Sequence, residues 1–228
     1  MIEIYPVVHY NDAHQVVDQA GVALSEGADG VYLIDHRSLE PDNLVAAFNR
    51  VVATYPEAFV GLNLLQAADA LSAFEMTKSL STSRHPNALW VDNAVRGAAD
   101  VESYRKSDPG LATICYLGGI AFKYTDSYTD DPEEAAILAA RYASYVDVVT
   151  TSGEGTGHAP HPLKIAAMKQ AIAEKPLAVA SGISLENIAD YAGSLDKLLV
   201  STSIETFKSS GIFDQVKLRE LIAAAHEL

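Results

Sequence analysis

Apolar residues in this chain come in short, β-rich runs separated by longer stretches with helical spacing. The runs are Ile2–His9, Gly30–Asp35, Ala58–Leu64, Ala88–Asp92, Leu111–Leu117, Val146–Thr151, Leu177–Ala180 and Leu198–Ser201. Each is a strand candidate bounded by polar residues or glycine. Between them, Ala13–Ser25 opens after Asn11-Asp12, Leu44–Tyr55 follows Pro41-Asp42-Asn43, and Pro132–Ser144 opens after Asp130-Asp131. Asp and Asn at such starts accept hydrogen bonds from the free N–H groups of a first helical turn. Gly27-Ala-Asp-Gly30 closes the first helix and turns into the second strand. Only the fourth helix, near Val101–Lys106, is weakly patterned.

Strands alternating with helices predict parallel βα units, and eight of them predict a closed (β/α)8 barrel, the TIM-barrel architecture. The length of 228 residues fits that class, for which ~250 is typical. An open Rossmann-like sheet would carry a Gly-x-Gly-x-x-Gly turn after strand 1, and here that strand ends in Val8-His9-Tyr10-Asn11. With 49% apolar residues, and no Pro/Gly/Ser-rich linker or charge block, one barrel domain over residues 1–228 is the economical division.

In a barrel, function is sought at the carboxyl ends of the strands. Those ends carry His9 and Asn11, Asp35 and His36, Asn63, Asp92 and Asn93, Lys123, Thr150–Thr151, Ser181–Gly182, and Ser201–Ser203. Lys123 follows strand 5 between aromatics. Its amine could form a Schiff base, transfer protons, or pair with an anionic substrate. Nothing beside it in sequence depresses its pKa, which favours a charge-partner or acid–base role. Asp92 is the general-base candidate, because a carboxylate in a barrel mouth is raised by desolvation and lowered by a nearby cation. Asn63 would orient a substrate hydroxyl or carbonyl. His9 and the pair Asp35-His36 offer further acid–base groups, but adjacent strand residues point to opposite sides, so only one of that pair lines the mouth. His9, Asp35 and Asp92 could meet around a metal. No helical ligand pair supports this, and neither a metal nor a cofactor is assigned.

The stretch from Lys175 to Ile204 reads as a strand ending in Ser181-Gly182, a capped helix, and a strand ending in Ser201-Thr202-Ser203. Hydroxyls and N–H groups gathered there could hold a phosphate, since loops after strands 7 and 8 commonly do so in such barrels. The loop after strand 6, Thr151-Ser-Gly-Glu-Gly-Thr-Gly-His-Ala-Pro-His-Pro162, supplies Gly153, Gly155, Thr156 and Gly157 and reads as a lid that closes over the ligand. Glu154, His158 and His161 could reach the pocket from this loop, and none is given a role.

A net charge of −14, with sixteen Lys and Arg, argues against nucleic acid and anionic membranes as partners. It also implies that backbone N–H groups carry much of any phosphate binding. The apolar runs are shorter than the ~20 residues of a membrane helix. No signal peptide precedes the first strand. The lone Cys115 excludes an internal disulfide, reads as a small buried core residue, and fits a cytoplasmic location.

Several runs together resemble the BtpA/SgcQ family, named for a photosystem I biogenesis factor. They are Val60-Gly-Leu-Asn-Leu-Leu65, Phe122-Lys-Tyr124, Asp147-Val-Val-Thr-Thr-Ser-Gly-Glu-Gly-Thr-Gly157, Val179-Ala-Ser-Gly-Ile-Ser-Leu-Glu-Asn187 and Gly211-Ile-Phe-Asp-Gln-Val-Lys-Leu-Arg219. The resemblance implies a barrel of the phosphate-binding, ribulose-phosphate type. It places the family's strand-3 Asn at Asn63, its Val-Lys-His element at Phe122-Lys123-Tyr124, its Thr-Gly turn at Thr156-Gly157 and its Gly-Ser-Gly at Ala180-Ser181-Gly182. Tyr124 stands where the family has His, Asp92 where it commonly has Asn, and Asp35-His36 where it has Glu-Asn. His9 is kept, but the family's Leu-Pro-Gly segment after it is missing. Strand 6 is also similar to deoxyribose-phosphate aldolases, which carry Lys-Thr-Ser-Thr-Gly there. The lysine is absent, so a strand-6 Schiff base is not expected.

The resulting expectation is an enzyme acting on a small phosphorylated sugar or ribosyl compound, by isomerase, lyase or glycosyl-transfer chemistry. The competing expectation is a non-catalytic assembly or regulatory factor that keeps the barrel. Barrels of this kind often pair into homo-oligomers, and the sequence identifies no interface.

Overall fold

A computed structural model describes residues 1–38, 41–80 and 82–228. The strands are β1 (Glu3–His9), β2 (Val31–Ile34), β3 (Val60–Asn63), β4 (Ala88–Val91), β5 (Cys115–Gly119), β6 (Val148–Thr151), β7 (Leu177–Val179) and β8 (Lys197–Val200). All pair in parallel in the order β1 to β8, and β8 returns to β1 with Glu3 opposite Lys197 and Pro6 opposite Val200. The barrel is therefore closed, and no strand edge is left unpaired.

The helices are α1 (Ala13–Ser25), α2 (Asp42–Thr54), α3 (Ala70–Ser79), α4 (Ala98–Ser107), α5 (Pro109–Ala112), α6 (Pro132–Tyr142), α7 (Pro162–Ile172) and α8 (Gln215–Glu227). Asp12, Asp69, Asp108, Asp131 and Asp214 accept from first-turn N–H groups at five of their starts. Each such cap is worth about 1 kcal/mol.

Two expectations need correction, on strand 5 and on the β7–β8 link, while the weak fourth helix is borne out. Leu111 belongs to α5, not to strand 5, because Asp108-Pro109 is a helix start with proline at its first position. The weak fourth helix is real but buries only Ala98 and Val101, which is why its pattern was faint. No α-helix links β7 to β8. A 3-10 turn at Ile188–Tyr191 takes its place, and the Asn187 side chain accepts from Ser184 N–H instead of capping a helix.

The strand period of two sorts residues between two cores. Leu33, Leu62, Leu89, Val149 and Leu198 face the helices. Tyr5, Val7, Tyr32, Ile34, Trp90, Leu117, Val148 and Leu199 fill the barrel, with Phe122 above them. Edge-to-face contacts run from Tyr5 to Tyr32 (5.7 Å), Tyr32 to Trp90 (6.3 Å) and Trp90 to Phe122 (6.1 Å). Gly61 makes room for this stack, since a Cβ there would lie 2.3 Å from the Tyr32 ring. Burying each large apolar side chain contributes roughly 1.5–3 kcal/mol. Cys115 is only partly buried beside this interior cluster, and burial raises its thiol to about 11.

Candidate active site

A cavity of about 600 Å³ opens at the carboxyl ends of the strands. Its walls include His9, His36, Asp92, Lys123 and the rim segments Ala180–Ser184 and Leu199–Ser203. A second, smaller cavity of about 370 Å³ lies on the β3–β5 side and shares Leu65, Asp92 and Tyr124 with the first. Asp92 thus stands where the two meet.

The loop after β5 delivers Lys123 by a constrained route. Ala121 and Tyr124 have φ of +50° and +61°, a region that side chains rarely adopt. The Ala121 carbonyl accepts from Thr151 Oγ1 (3.1 Å) and Lys164 Nζ (3.0 Å). Lys164 also donates to the Ser152 carbonyl (2.8 Å), pairs with Asp130 (3.5 Å) and lies over the Tyr128 ring. Lys164 has no exposed surface, and its burial lowers it to about 8. Ser152 Oγ in turn accepts from Lys123 N–H (2.9 Å). A buried lysine therefore pins both loops that flank the proposed catalytic lysine. Nothing in its local sequence, within Pro162-Leu-Lys-Ile165, signals this.

Lys123 Nζ donates to the Ala180 carbonyl (3.0 Å) and sits 5.4 Å from the Phe122 ring centre. Burial lowers its pKa, opposed by the charges of Asp92 and Tyr124. The fold thus supplies the depression that its sequence neighbours do not. Asp92 moves the other way. Burial raises its pKa, while the Asn63 hydrogen bond and the charges of Lys123 and His36 pull it down. Asn63 Nδ2 donates to Asp92 Oδ1 at 3.1 Å, so Asn63 acts on the main cavity through Asp92. Gly119 permits this junction, because a Cβ there would lie 1.9 Å from the Asp92 carbonyl oxygen.

His9 and His36 stack at 5.1 Å with near-parallel rings. Burial drops His9 to about 4, aided by the charges of His36 and Lys123. His36 is lowered too, again chiefly by burial. Both are neutral near pH 7. Asp35 does not line the cavity. Its Oδ1 accepts from Arg37 N–H, and Ile34 and His36 take the inward positions on either side of it. The same alternation turns Trp90 inward with Asp92, which strand parity could have shown from the sequence.

Of the ligand-binding candidates, Thr156, Gly157, Ser181, Gly182, Ser201 and Ser203 line the cavity, whereas Gly153 and Gly155 do not. The serine hydroxyls are already donating. Ser181 donates to the Gly155 carbonyl, Ser201 to Glu205 Oε1 and Ser203 to the Ile183 carbonyl. Thr202 and Ser203 open a 3-10 turn, which leaves their N–H groups without partners inside it. The β6–α7 loop is pinned rather than loose. Thr156 N–H donates to Tyr124 Oη, Tyr191 Oη donates to the Pro160 carbonyl, and Gly182 (φ +67°) has Ala159 N 2.1 Å from where a Cβ would be. Glu154 and His158 pair with each other at the surface, and His161 accepts from Leu163 N–H at the start of α7.

No family model matches the sequence, and no curated protein matches it. Solved structures do match over the whole chain. Phosphoribosyl anthranilate isomerase from Thermus thermophilus superposes with a TM-score of 0.65 at 14% identity, covering 99% of each chain. (S)-3-O-geranylgeranylglyceryl phosphate synthase from Thermoplasma acidophilum, in complex with sn-glycerol-1-phosphate, gives 0.67 at 15% identity, covering 100% of this chain and 94% of the other. A structure described as native KDPGal gives 0.66 at 11% identity, with 98% and 94% covered. At these identities the likeness is one of fold: a closed (β/α)8 barrel. Among the described residues, no helix is long and apolar enough to cross a membrane.

Proposed function

We propose that this chain is a barrel enzyme acting on a small phosphorylated compound, with Lys123 and Asp92 as its acid–base pair. One observation carries the reading. Two ionisable groups on neighbouring strands face one cavity, and burial moves the amine down and the carboxyl up, toward each other. Groups displaced in this way can exchange protons with a substrate near neutral pH. Asn63 fixes the carboxylate, and the neutral His9–His36 pair forms the adjoining wall. The phosphate would rest on backbone N–H groups around Gly182 and Ser203, since Lys123 is the only lysine or arginine among the described residues that line the cavity. The synthase's complex with sn-glycerol-1-phosphate supports a phosphorylated ligand in this architecture. Isomerisation, lysis and glycosyl transfer all fit such a pair.

The same scarcity of cations, one lysine in the described lining, favours a second reading, a non-catalytic factor of the BtpA type that keeps the barrel. A thermal-shift titration with inorganic phosphate, ribose 5-phosphate, phosphoribosyl pyrophosphate and nucleotides separates the two. A ligand at 100 times its Kd adds ~2.7 kcal/mol to the native state. Stabilisation that disappears in Gly182→Asp supports the enzyme. No shift with any phosphorylated compound leaves the assembly factor.

A further inference from the structure

The cavity's chemistry says what kind of body its ligand has. Five strands send apolar side chains into it: Val7, Ile34, Trp90, Ala180 and Leu199. A sugar phosphate carries a hydroxyl on nearly every carbon, and each one buried without a partner costs roughly 1–3 kcal/mol. Few groups are left to read such hydroxyls: beyond the proposed acid–base pair Asp92 and Lys123, the lining offers chiefly His9, His36 and Thr202. The rim serines already donate within the protein, and Asn63 is held by Asp92. The remaining walls are flat. The Trp90 indole is more than nine-tenths buried on one side, and the stacked His9–His36 rings stand on another. Ring walls favour flat partners, which gain from ring–ring contact beyond their buried area.

We infer that the ligand joins an anionic phosphate head, seated at the β7–β8 rim, to an aromatic body lying across Trp90, rather than to a polyhydroxylated sugar. The phosphate end of this inference rests on the function proposed above. The aromatic end stands on the cavity walls alone.

Trp90 is the only tryptophan in the chain, so its fluorescence reports directly on this surface. The probes are 1-naphthyl phosphate, 1-naphthol, ribose 5-phosphate and inorganic phosphate, titrated into the intact protein by calorimetry and by Trp90 emission. The expected result is that 1-naphthyl phosphate perturbs the emission, is displaced by inorganic phosphate, and binds at least ten-fold tighter than ribose 5-phosphate. Leu65→Asp, at the half-open lip of the cavity, should weaken 1-naphthyl phosphate several-fold and leave inorganic phosphate unchanged. Ribose 5-phosphate binding as tightly as 1-naphthyl phosphate overturns the aromatic body but leaves the phosphate seat standing. Binding of 1-naphthol as tight as that of its phosphate overturns the seat and spares the apolar wall. Failure of all four probes to bind overturns both.

Discussion

The two sides of the barrel mouth are built on opposite principles. On the β4–β5 side stand Asp92 and Lys123, ionisable groups half withdrawn from water, and Lys123 sits in a loop that holds two strained residues and is pinned from below by Lys164. On the β7–β8 side stand serines, glycine and turn N–H groups, with the hydroxyls of Ser181, Ser201 and Ser203 each engaged to a neighbour. One side can change its charge, and the other cannot. In the proposed reading, a chain of net charge −14 would hold an anion by fixed backbone dipoles at the rim, with the lining's one lysine, Lys123, at the Ala180 carbonyl beside them. The strain falls on the side where the proposed chemistry would need a fixed amine.

The sharpest way to break that division is to remove the strut. Lys164→Met leaves the Ser152 carbonyl buried without its donor, leaves the Ala121 carbonyl with Thr151 Oγ1 alone, and releases the strained loop. We expect a loss of about 3 kcal/mol in urea unfolding, at the upper end for one unsatisfied buried acceptor because the strained loop is freed as well. The Lys164 amine also gives the wild type a pH signature. Its folded pKa of about 8 lies below its ordinary value of 10.5, so the folded state sheds its proton first and stability rises with pH between them. The variant should lack that rise. If Lys164→Met unfolds like the wild type, the loop is held by something else.

The histidine wall gives the next effect. His9 is held near 4, against an ordinary value of 6.5, so the unfolded chain binds a proton first as pH falls. Stability contributed by neutral His9 should be full above pH 6.5 and fall by roughly 3 kcal/mol by pH 4. His9→Gln should flatten that part of the pH–stability curve. A variant that keeps the slope would place the titration elsewhere, with His36 the first group to test.

On the neutral side, Gly182→Ala tests whether the rim and the β6–α7 loop form one rigid seat. The new Cβ meets Ala159 N at 2.1 Å in a backbone with φ of +67°. The expected cost is about 2 kcal/mol, with phosphate stabilisation lost as well. A cost near zero would mean that the loop moves freely off the rim.

How much of this was legible in the sequence depended on whether it was local. The strands were visible because barrel strands are short apolar runs, and Asn63, Asp92 and His9 because they end such runs. Parity also separates His36 from Asp35, and it would have found Trp90. What stayed hidden is tertiary. Lys164 is buried by elements distant in sequence, and lysine is rarely buried at all. The rim serines looked like free donors because their acceptors, Gly155, Ile183 and Glu205, meet them only after folding. The glycines after strand 6 suggested freedom, yet Gly153 serves close packing, with His158 O 2.2 Å from where its Cβ would be.

The smallest effect is also the most diagnostic of the charged side. Burial raises the Asp92 pKa, so its folded form holds a proton more tightly than its unfolded form. Its contribution is then most favourable at low pH and declines as pH rises through the folded value. At neutral pH the carboxylate is a cost that the fold carries. Asp92→Asn removes the charge and can still meet Asn63 by a hydrogen bond, so it should gain about 1 kcal/mol of stability, as is common when a functional group is replaced. The same variant should lose at least ~10² in turnover on any substrate the wild type converts, since positioned acid–base groups typically contribute that much. Wild-type activity should follow a bell whose acid limb lies above the ordinary carboxylate value and whose alkaline limb lies below the ordinary lysine value. A more stable Asp92→Asn that also turns over normally would reduce Asp92 to a structural partner of Asn63, and the two sides of the mouth would no longer differ in kind.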